Sequence, residues 1–399
     1  MKTLKIATCV ALAASLTSQT LLAETTQAEL EERVTILEEM LAERQAADDN
    51  APDGSVNLLT GYDKGFFIAT PDDDFKLKLN GMTQLRYTFG SRDTTTTAKE
   101  EVSEFDLHRT RLGVSGNVYD PKLFFKVEGD FGRSGGTFKL TDAYVGYKVN
   151  DNVKVRVGQF KEQLQRETLL SIKKLSAVDK SLVNGGIFPA SLGRVQGADV
   201  EYKLDEHRFV ITLSEGYQSR NTGIGDENAD AAIAGRYEFK PFGDWKKLAD
   251  FTSSPGDPNG LLFGIAGHAE EGKAFFATTD LTIQLDTGTN IFISFDWQEI
   301  DDMEAHGLVI QLAQFIAEKV EPFLRYEYGG SDASTADLNL LTAGANYYIK
   351  GHDIKLTGDV GIAFDSIDGT FDKSSIGWQQ DEAGQDGQIV ARIQLQLAF

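Results

Sequence analysis

Apolar and polar residues alternate at period two along most of this chain, in unusually long stretches. Phe75, Leu77, Leu79, Gly81, Thr83, Leu85, Tyr87 and Phe89 fall on one side of an extended segment, with Lys76, Lys78, Asn80, Gln84 and Arg86 on the other. A tilted strand that crosses a bilayer needs roughly 9–11 residues and often protrudes beyond it, whereas a soluble sheet gains nothing from such length. The same pattern recurs at 105–119, 122–132, 137–149, 152–160, 197–205, 207–216, 230–240 and 260–271. It continues at 274–286, 289–300, 303–316, 319–329, 337–350, 352–366 and 388–399, which predicts sixteen strands. In the last of these, Ile389, Ala391, Ile393, Leu395, Leu397 and Phe399 share one face, Gln388, Arg392, Gln394 and Gln396 share the other, and Val390 and Ala398 are apolar exceptions. The predicted fold is all-β: a closed antiparallel transmembrane β-barrel of about 16 strands.

Connection lengths agree with that fold. Tight turns at 119–121, 150–151, 205–206 and 350–351 alternate with longer or Gly-rich connections, as in bacterial barrels with short periplasmic turns and long outer loops. Residues 241–259, containing Trp245, Pro255 and Pro258, break this parity, and a miscounted strand nearby is the alternative. Abundant glycine (39) and scarce proline (8) suit many strands joined by turns. Tyr87, Phe89, Trp297, Tyr326, Tyr328, Tyr347 and Phe364 lie near the ends of apolar faces, as an aromatic girdle requires and as ordinary sheet packing also allows.

The amino end reads differently. Lys2 and Lys5 precede an apolar run from Ile6 to Leu16, so residues 1–23 read as a cleaved secretory signal; the single cysteine, Cys9, lies inside it. Residues 24–45 carry Leu30, Val34, Leu37 and Leu41 at heptad spacing, which predicts a short coiled-coil helix that either assists association or stays solvated. A polar linker at 46–60 leads to the barrel domain at 61–399. The formal charge of −22 becomes −24 when Lys2 and Lys5 are removed, which argues against nucleic acid as a partner.

Against this acidic background, residues 161–196 reverse sign: Lys161, Arg166, Lys173, Lys174, Lys180 and Arg194 against Glu162, Glu167 and Asp179, six minus three, or +3. A connection of this length needs a function, and in a wide barrel a loop folded inward narrows the lumen and selects ions by charge. An external amphipathic loop with solvated lysines is the competing reading. Alternation also turns wall residues inward. Leu112, Val114 and Val118 toward lipid place Arg109 and Arg111 in the lumen, as it does Arg86, Lys126, Lys154 and Arg156. Together with Lys161, Arg166, Lys173, Lys174 and Arg194 these form the expected pore-lining, anion-attracting set. Glu128, Asp130, Asp142, Asp296, Glu321, Glu327 and Asp359 share that face, so pairing with acids competes with solute binding. The five histidines are scattered, and no nucleophile motif, metal-ligand spacing or phosphate-cradling glycine loop is present, so no catalytic residue, metal or cofactor is expected.

The stretches GYDKGFFIAT (61–70), LKLNGMTQLRY (77–87), FDLHRTRLGVSGNVYD (105–120), LTDAYVGY (140–147), VRVGQFKEQLQRETLLS (155–171) and GRYEFKPFGDW (235–245) together resemble the phosphate-selective porin O and P family. The resemblance implies a trimeric outer-membrane channel whose inward loop follows the GQFK stretch and whose arginines and lysines pass phosphate or polyphosphate. Carried over, Arg109 and Arg111 are wall arginines and Lys161 opens the constriction loop. The expected function is passive diffusion of ions and small hydrophilic solutes, with an anion or phosphate preference; a non-selective or cation-preferring porin and a mainly structural envelope barrel remain alternatives. The expected partners are outer-membrane lipid and lipopolysaccharide, further copies in a homotrimer, and the barrel-assembly machinery, which would read Ile393, Leu395, Leu397 and Phe399 as an insertion signal. The expected location is the outer membrane of a Gram-negative cell.

Overall fold

The computed structural model describes residues 58–95, 100–133, 136–187, 193–223, 231–271, 274–382 and 384–399, together with Thr35. The predicted signal, nearly all of the coiled coil and linker, and the acidic loop residues 224–230 lie outside the described residues. Two short strands, β1 (Leu59–Tyr62) and β2 (Phe66–Ala69), form a hairpin. Sixteen long strands follow. The first eight are β3 (Lys76–Arg92), β4 (Glu100–Val118), β5 (Asp120–Phe131), β6 (Phe138–Lys148), β7 (Val153–Phe160), β8 (Val195–Lys203), β9 (His207–Ser214) and β10 (Ala232–Phe242). The second eight are β11 (Gly260–Glu270), β12 (Ala274–Leu285), β13 (Thr289–Ile300), β14 (Met303–Gln314), β15 (Val320–Ser331), β16 (Leu338–Lys350), β17 (Ile354–Ala363) and β18 (Ile389–Ala398). Each of the sixteen expected strands is present. The β1–β2 hairpin was not foreseen; it begins two residues before the expected barrel boundary.

Each long strand pairs antiparallel with the next, and β18 returns to β3, from Ile389 opposite Ser91 to Ala398 opposite Met82. The sheet is therefore a closed barrel with its strand edges satisfied, as hydrocarbon demands. At the seam, Phe399 and Gly81 exchange two backbone hydrogen bonds of 3.0 Å. The Phe399 ring lies over Gly81, where a Cβ would come within 2.4 Å of it. Below the point where the last strand runs out, β2 takes over the same edge of β3, with Phe66 opposite Leu79 and Ala69 opposite Lys76.

The alternation sorts as expected. Phe105, Leu107, Val157, Ile211, Leu213, Ile265, Leu312, Ile393, Leu395 and Leu397 are exposed on the outer face, while Gln84, Arg86, Arg325, Asn346, Asp359 and Gln394 are buried within. Two bulges away from the strand ends interrupt it. Gln84 faces Arg109 while Leu85 faces Leu107, so His108 is an extra residue in β4; Glu128 faces Asp142 while Gly129 faces Leu140, so Thr141 is extra in β6. Each bulge turns two consecutive side chains inward: His108 with Arg109, and Thr141 with Asp142.

At the end carrying Phe399, six connections are one to five residues long. Residues 243–259 stand apart from them, and no strand was miscounted: β10 ends at Phe242 and β11 begins at Gly260. This connection contains a one-turn helix, as does the long segment after β7, where α1 (Arg166–Leu169) and α2 (Leu182–Ile187) precede α3 (Trp245–Leu248) in the chain. At the opposite end β13 and β14 are joined by Asp301 and Asp302, both with positive φ (51° and 64°), the conformation that matches a two-residue hairpin turn to strand twist.

The lipid-facing position of Ile265 near the middle of β11 yields a prediction. Ile265→Lys lowers the unfolding free energy of the barrel in lipid vesicles by roughly 2–4 kcal/mol, read from urea titration of the folded, heat-modifiable band. A loss below about 1 kcal/mol would place this face outside the hydrocarbon.

Candidate functional site

The segment after β7 folds into the barrel. Its apolar side chains Leu164, Leu170, Leu175, Leu182, Val183 and Ile187 pack against Phe276, Phe292, Val309, Leu338 and Leu340 of the β12–β16 wall, and against Ile367, Phe371 and Trp378 of the last outer loop. This side of the loop is thus held by an apolar cluster, each buried side chain contributing roughly 1.5–3 kcal/mol. Gly307 makes room for it: a Cβ there would lie 2.5 Å from Val183. Polar groups close the loop on itself and on the wall. The Glu167 carboxylate accepts from Ser181 N (2.9 Å) and Oγ (2.6 Å), and Glu327 of β15 accepts from Leu182 N and Val183 N at the start of α2. Glu162 is held by His268 Nδ1 at 3.0 Å.

Asp179, at the inner turn of the loop, is the centre of the charge arrangement. It receives Arg86 through two bonds of 2.6 and 3.0 Å, Arg109 at 2.9 Å and Arg392 at 3.3 Å, with His108 Nε2 at 3.4 Å. Burial alone would raise the Asp179 pKa; Arg86, His108 and Arg109 overcome that and hold it well below the ordinary carboxylate value. Arg392 is shared with Asp359, at 2.8 and 3.0 Å, and that carboxylate also accepts from Val178 N at 3.1 Å.

The opposite wall, β4 to β10, leaves a cleft beside the loop. A cavity of about 530 Å³ is lined there by Arg111, Lys126, Glu128, Asp142, Lys154, Arg156, Lys161, Arg166, Arg208 and Glu238, with Tyr144 and Trp245 among the aromatics. Most of these charges are paired. Arg111 meets Asp130 through two bonds of 2.6 Å; Lys126 and Arg194 both reach Asp142 at 2.7 Å; Lys154 meets Glu201 at 2.8 Å; Arg156 pairs with Asp199. Arg166 lies 3.5 Å from Glu238. Lys173 and Lys174 point to the short-turn end, toward Asp353 (3.7 Å) and Asp250 (3.2 Å).

Two lysines differ. Lys161 Nζ donates to the carbonyls of Leu169 and Leu170 (3.4 and 2.8 Å), and Lys180 Nζ to Thr168 Oγ1 (2.9 Å). Among the described residues neither has a carboxylate within 4.0 Å. Burial lowers both pKa values, Lys180 to about 7; Lys180 and Arg194 add to the effect at Lys161, and Arg194, Arg109 and Arg111 add to it at Lys180, against Glu167. Toward the outer end lies a second cavity of about 640 Å³ lined by Arg92, Glu100, Glu104, Asp106 and Arg133.

The structure brings Arg86 and Arg109 together on Asp179, and Arg111, Lys126 and Arg194 together around Asp142 and Glu128. Asp179, Lys180, Arg208, Arg236 and Arg392 belong to the same interior although the expected set omitted them. Arg208 and Arg392 were readable, since Phe209, Ile211 and Ile393 beside them face outward. The predicted insertion residues Ile393, Leu395 and Leu397 lie on the outer face, and Phe399 at the seam. Asp368 and Asp381 brace the outer loops: Asp368 accepts from Thr335 of the β15–β16 connection and from Gly369, and Asp381 from Ile367 N at 2.7 Å.

Residues 78–244 match the family model of the phosphate-selective porins O and P. An uncharacterized protein of Aquifex aeolicus is 24% identical over 267 residues, 54% of this chain; the match spans 61% of that relative's length. Three solved structures share the fold. The anion-selective porin from Comamonas acidovorans has a TM-score of 0.55 at 13% identity, covering 81% of this chain and 99% of that one. OmpF of Salmonella typhi, solved with daunomycin, has 0.56 at 14%, covering 85% and 100%. The outer-membrane channel DcaP of Acinetobacter baumannii has 0.54 at 13%, covering 85% and 100%. At such identities the likeness speaks for the barrel and not for the solute. Residues 78–244 are thus similar to the phosphate-selective porin O and P family, and the barrel as a whole has the fold of the outer-membrane porins.

Proposed function

We propose that the barrel is a passive diffusion channel in which small hydrophilic anions, phosphate among them, move along the cleft between the β4–β10 wall and the inward loop. The observation that carries this reading is the contrast within the cleft. Acids and arginines are mutually neutralised there, while Lys161 faces the cleft with only carbonyl partners and Lys180 stands near it. A buried lysine without a fixed counter-ion, whose charged form burial disfavours, is completed by a mobile anion entering a narrow and partly dehydrated passage. The wall residues Arg86, Arg109, Arg111, Lys126, Lys154, Arg156 and Arg194, with Arg166, Lys173 and Lys174 of the loop, act in this reading through the net field of the pairs they form.

A non-selective or cation-preferring pore is the second reading, and the outer cavity favours it. Glu100, Glu104 and Asp106 there outnumber Arg92 and Arg133. The same proposal includes export by the amino-terminal signal, insertion through the outward stripe ending at Phe399, association as a homotrimer, and contact with lipopolysaccharide.

Reversal potentials in a KCl gradient across planar bilayers decide between the readings. Lys161→Gln lowers the chloride-to-potassium permeability ratio about two- to fivefold at neutral pH. An unchanged ratio would remove Lys161 from the selectivity mechanism, and a wild-type ratio favouring potassium would replace the anion reading by the second one. Lys180 is charged below its lowered pKa of about 7 and neutral above it. The wild-type anion preference therefore declines as pH rises through about 7, and Lys180→Gln removes that step. Asp179→Asn leaves Arg86, Arg109 and Arg392 facing one another. It costs roughly 3–5 kcal/mol of stability, seen as a lower thermal transition in detergent, and raises the anion preference of the surviving channels.

A further inference from the structure

Connections between the long strands at the short-turn end of this barrel are one to five residues long, with the exception of residues 243–259. This segment turns into the barrel mouth. It leaves β10 and crosses to the far wall: Phe251 packs on Phe292 at 4.5 Å, Thr252 Oγ1 meets the Tyr348 hydroxyl at 3.1 Å, and Asp250 lies 3.1 Å from His352. Gln284 of β12 donates to the carbonyls of Lys247, Asp250 and Thr252, which fixes the backbone in between. Leu248 and Phe251 are fully buried.

The segment also holds the inward loop, which enters from the opposite end. Arg166 donates to Leu248 O, Lys174 to Ala249 O at 3.1 Å with Asp250 at 3.2 Å, and Ser176 Oγ to Phe251 O at 3.3 Å. Its remaining face, Trp245 and Ala249, lines the 530 Å³ cleft. Trp245 is fixed by Nε1 donating to Asp205 O at 2.9 Å and by Lys203 and Lys240, 4.9 and 5.5 Å from its ring.

We infer that residues 243–259 form a second constriction element, a strap across the short-turn mouth that sets the width of the solute path at that end and fixes the inward loop in position. The inference rests on the diffusion-channel reading above. Solute passing the cleft meets Trp245 and Ala249 last, flanked by Lys203, so an anion that leaves Lys161 is handed to a narrow exit of the same sign.

The test uses the full chain with Cys9 replaced by Ser, so that an introduced thiol is unique. Single-channel conductance of Ala249→Cys and Trp245→Cys is recorded in planar bilayers before and after reaction with a charged methanethiosulfonate, with modification verified by mass. Conductance falls at least about twofold at both positions and stays unchanged for Glu206→Cys on the neighbouring short turn. Replacing residues 244–258 by Asn-Gly raises conductance about twofold or more, because nothing then crosses the mouth at that end. Full modification of both cleft thiols with conductance unaltered would overturn the strap while leaving the channel reading intact. Absence of any conductance in the unmodified chain would overturn the channel reading itself.

Discussion

Hydrocarbon supplies no hydrogen-bond partner, so a sheet inside a bilayer must pair every edge, and closure of β18 onto β3 is the constraint on which this molecule depends. An even number of strands follows, and with it termini of the barrel at one end. Closure also explains why the last residue matters structurally. Phe399 completes the ladder with Gly81, and its ring occupies the space that glycine leaves open. Past that point β3 would present a bare edge, and β2 covers it.

A closed barrel of sixteen strands encloses more space than its own inward side chains can fill. Here the space is divided. The inward loop is amphipathic across its width, with leucines and valines toward β12–β16 and charges toward β3–β10. Its position is fixed where the two halves meet, at Asp179. Removing an ionised carboxylate from water is costly unless its lone pairs are satisfied, and three guanidinium groups gathered together repel unless an anion lies among them. Each requirement meets the other, so the loop has one favourable depth in the lumen. Arg325, donating to Asp179 O at 2.8 Å while 2.8 Å from Glu327, ties that turn to the β15 wall.

Alternation made the barrel readable, because a lipid-facing charge is costly enough to keep the pattern regular over every strand. The same logic fails inside. A luminal lysine looks the same in sequence whether it is paired, as Lys126 is with Asp142, or lacks a carboxylate, as Lys161 does, since its partner comes from another strand. The apolar cluster did leave a trace. Val390 and Ala398 stood as exceptions on the polar side of the last strand, and Val390 is buried in the core that also holds Trp378. Phe275 and Phe276 are consecutive for a related reason: one faces outward and the other packs within. The bulges at His108 and Thr141 could not be read, because a register shift is set by pairing with β3 and β5 and not by the residues themselves.

Net charge is a poor guide to the passage for the same reason. A chain of −22 suggests a repellent pore for anions, but formal charge counts every acid equally, whereas the field along a narrow path depends on those left unpaired beside it. Around Asp142 and Glu128 the balance is even: Arg111, Lys126 and Arg194 against Glu128, Asp130 and Asp142. Around Asp179 and Asp359 it is +1, with Arg86, Arg109 and Arg392 against two carboxylates. Lys161 and Lys180 are additional to both groups. On the anion reading proposed above, this small surplus acts where dielectric screening is weakest.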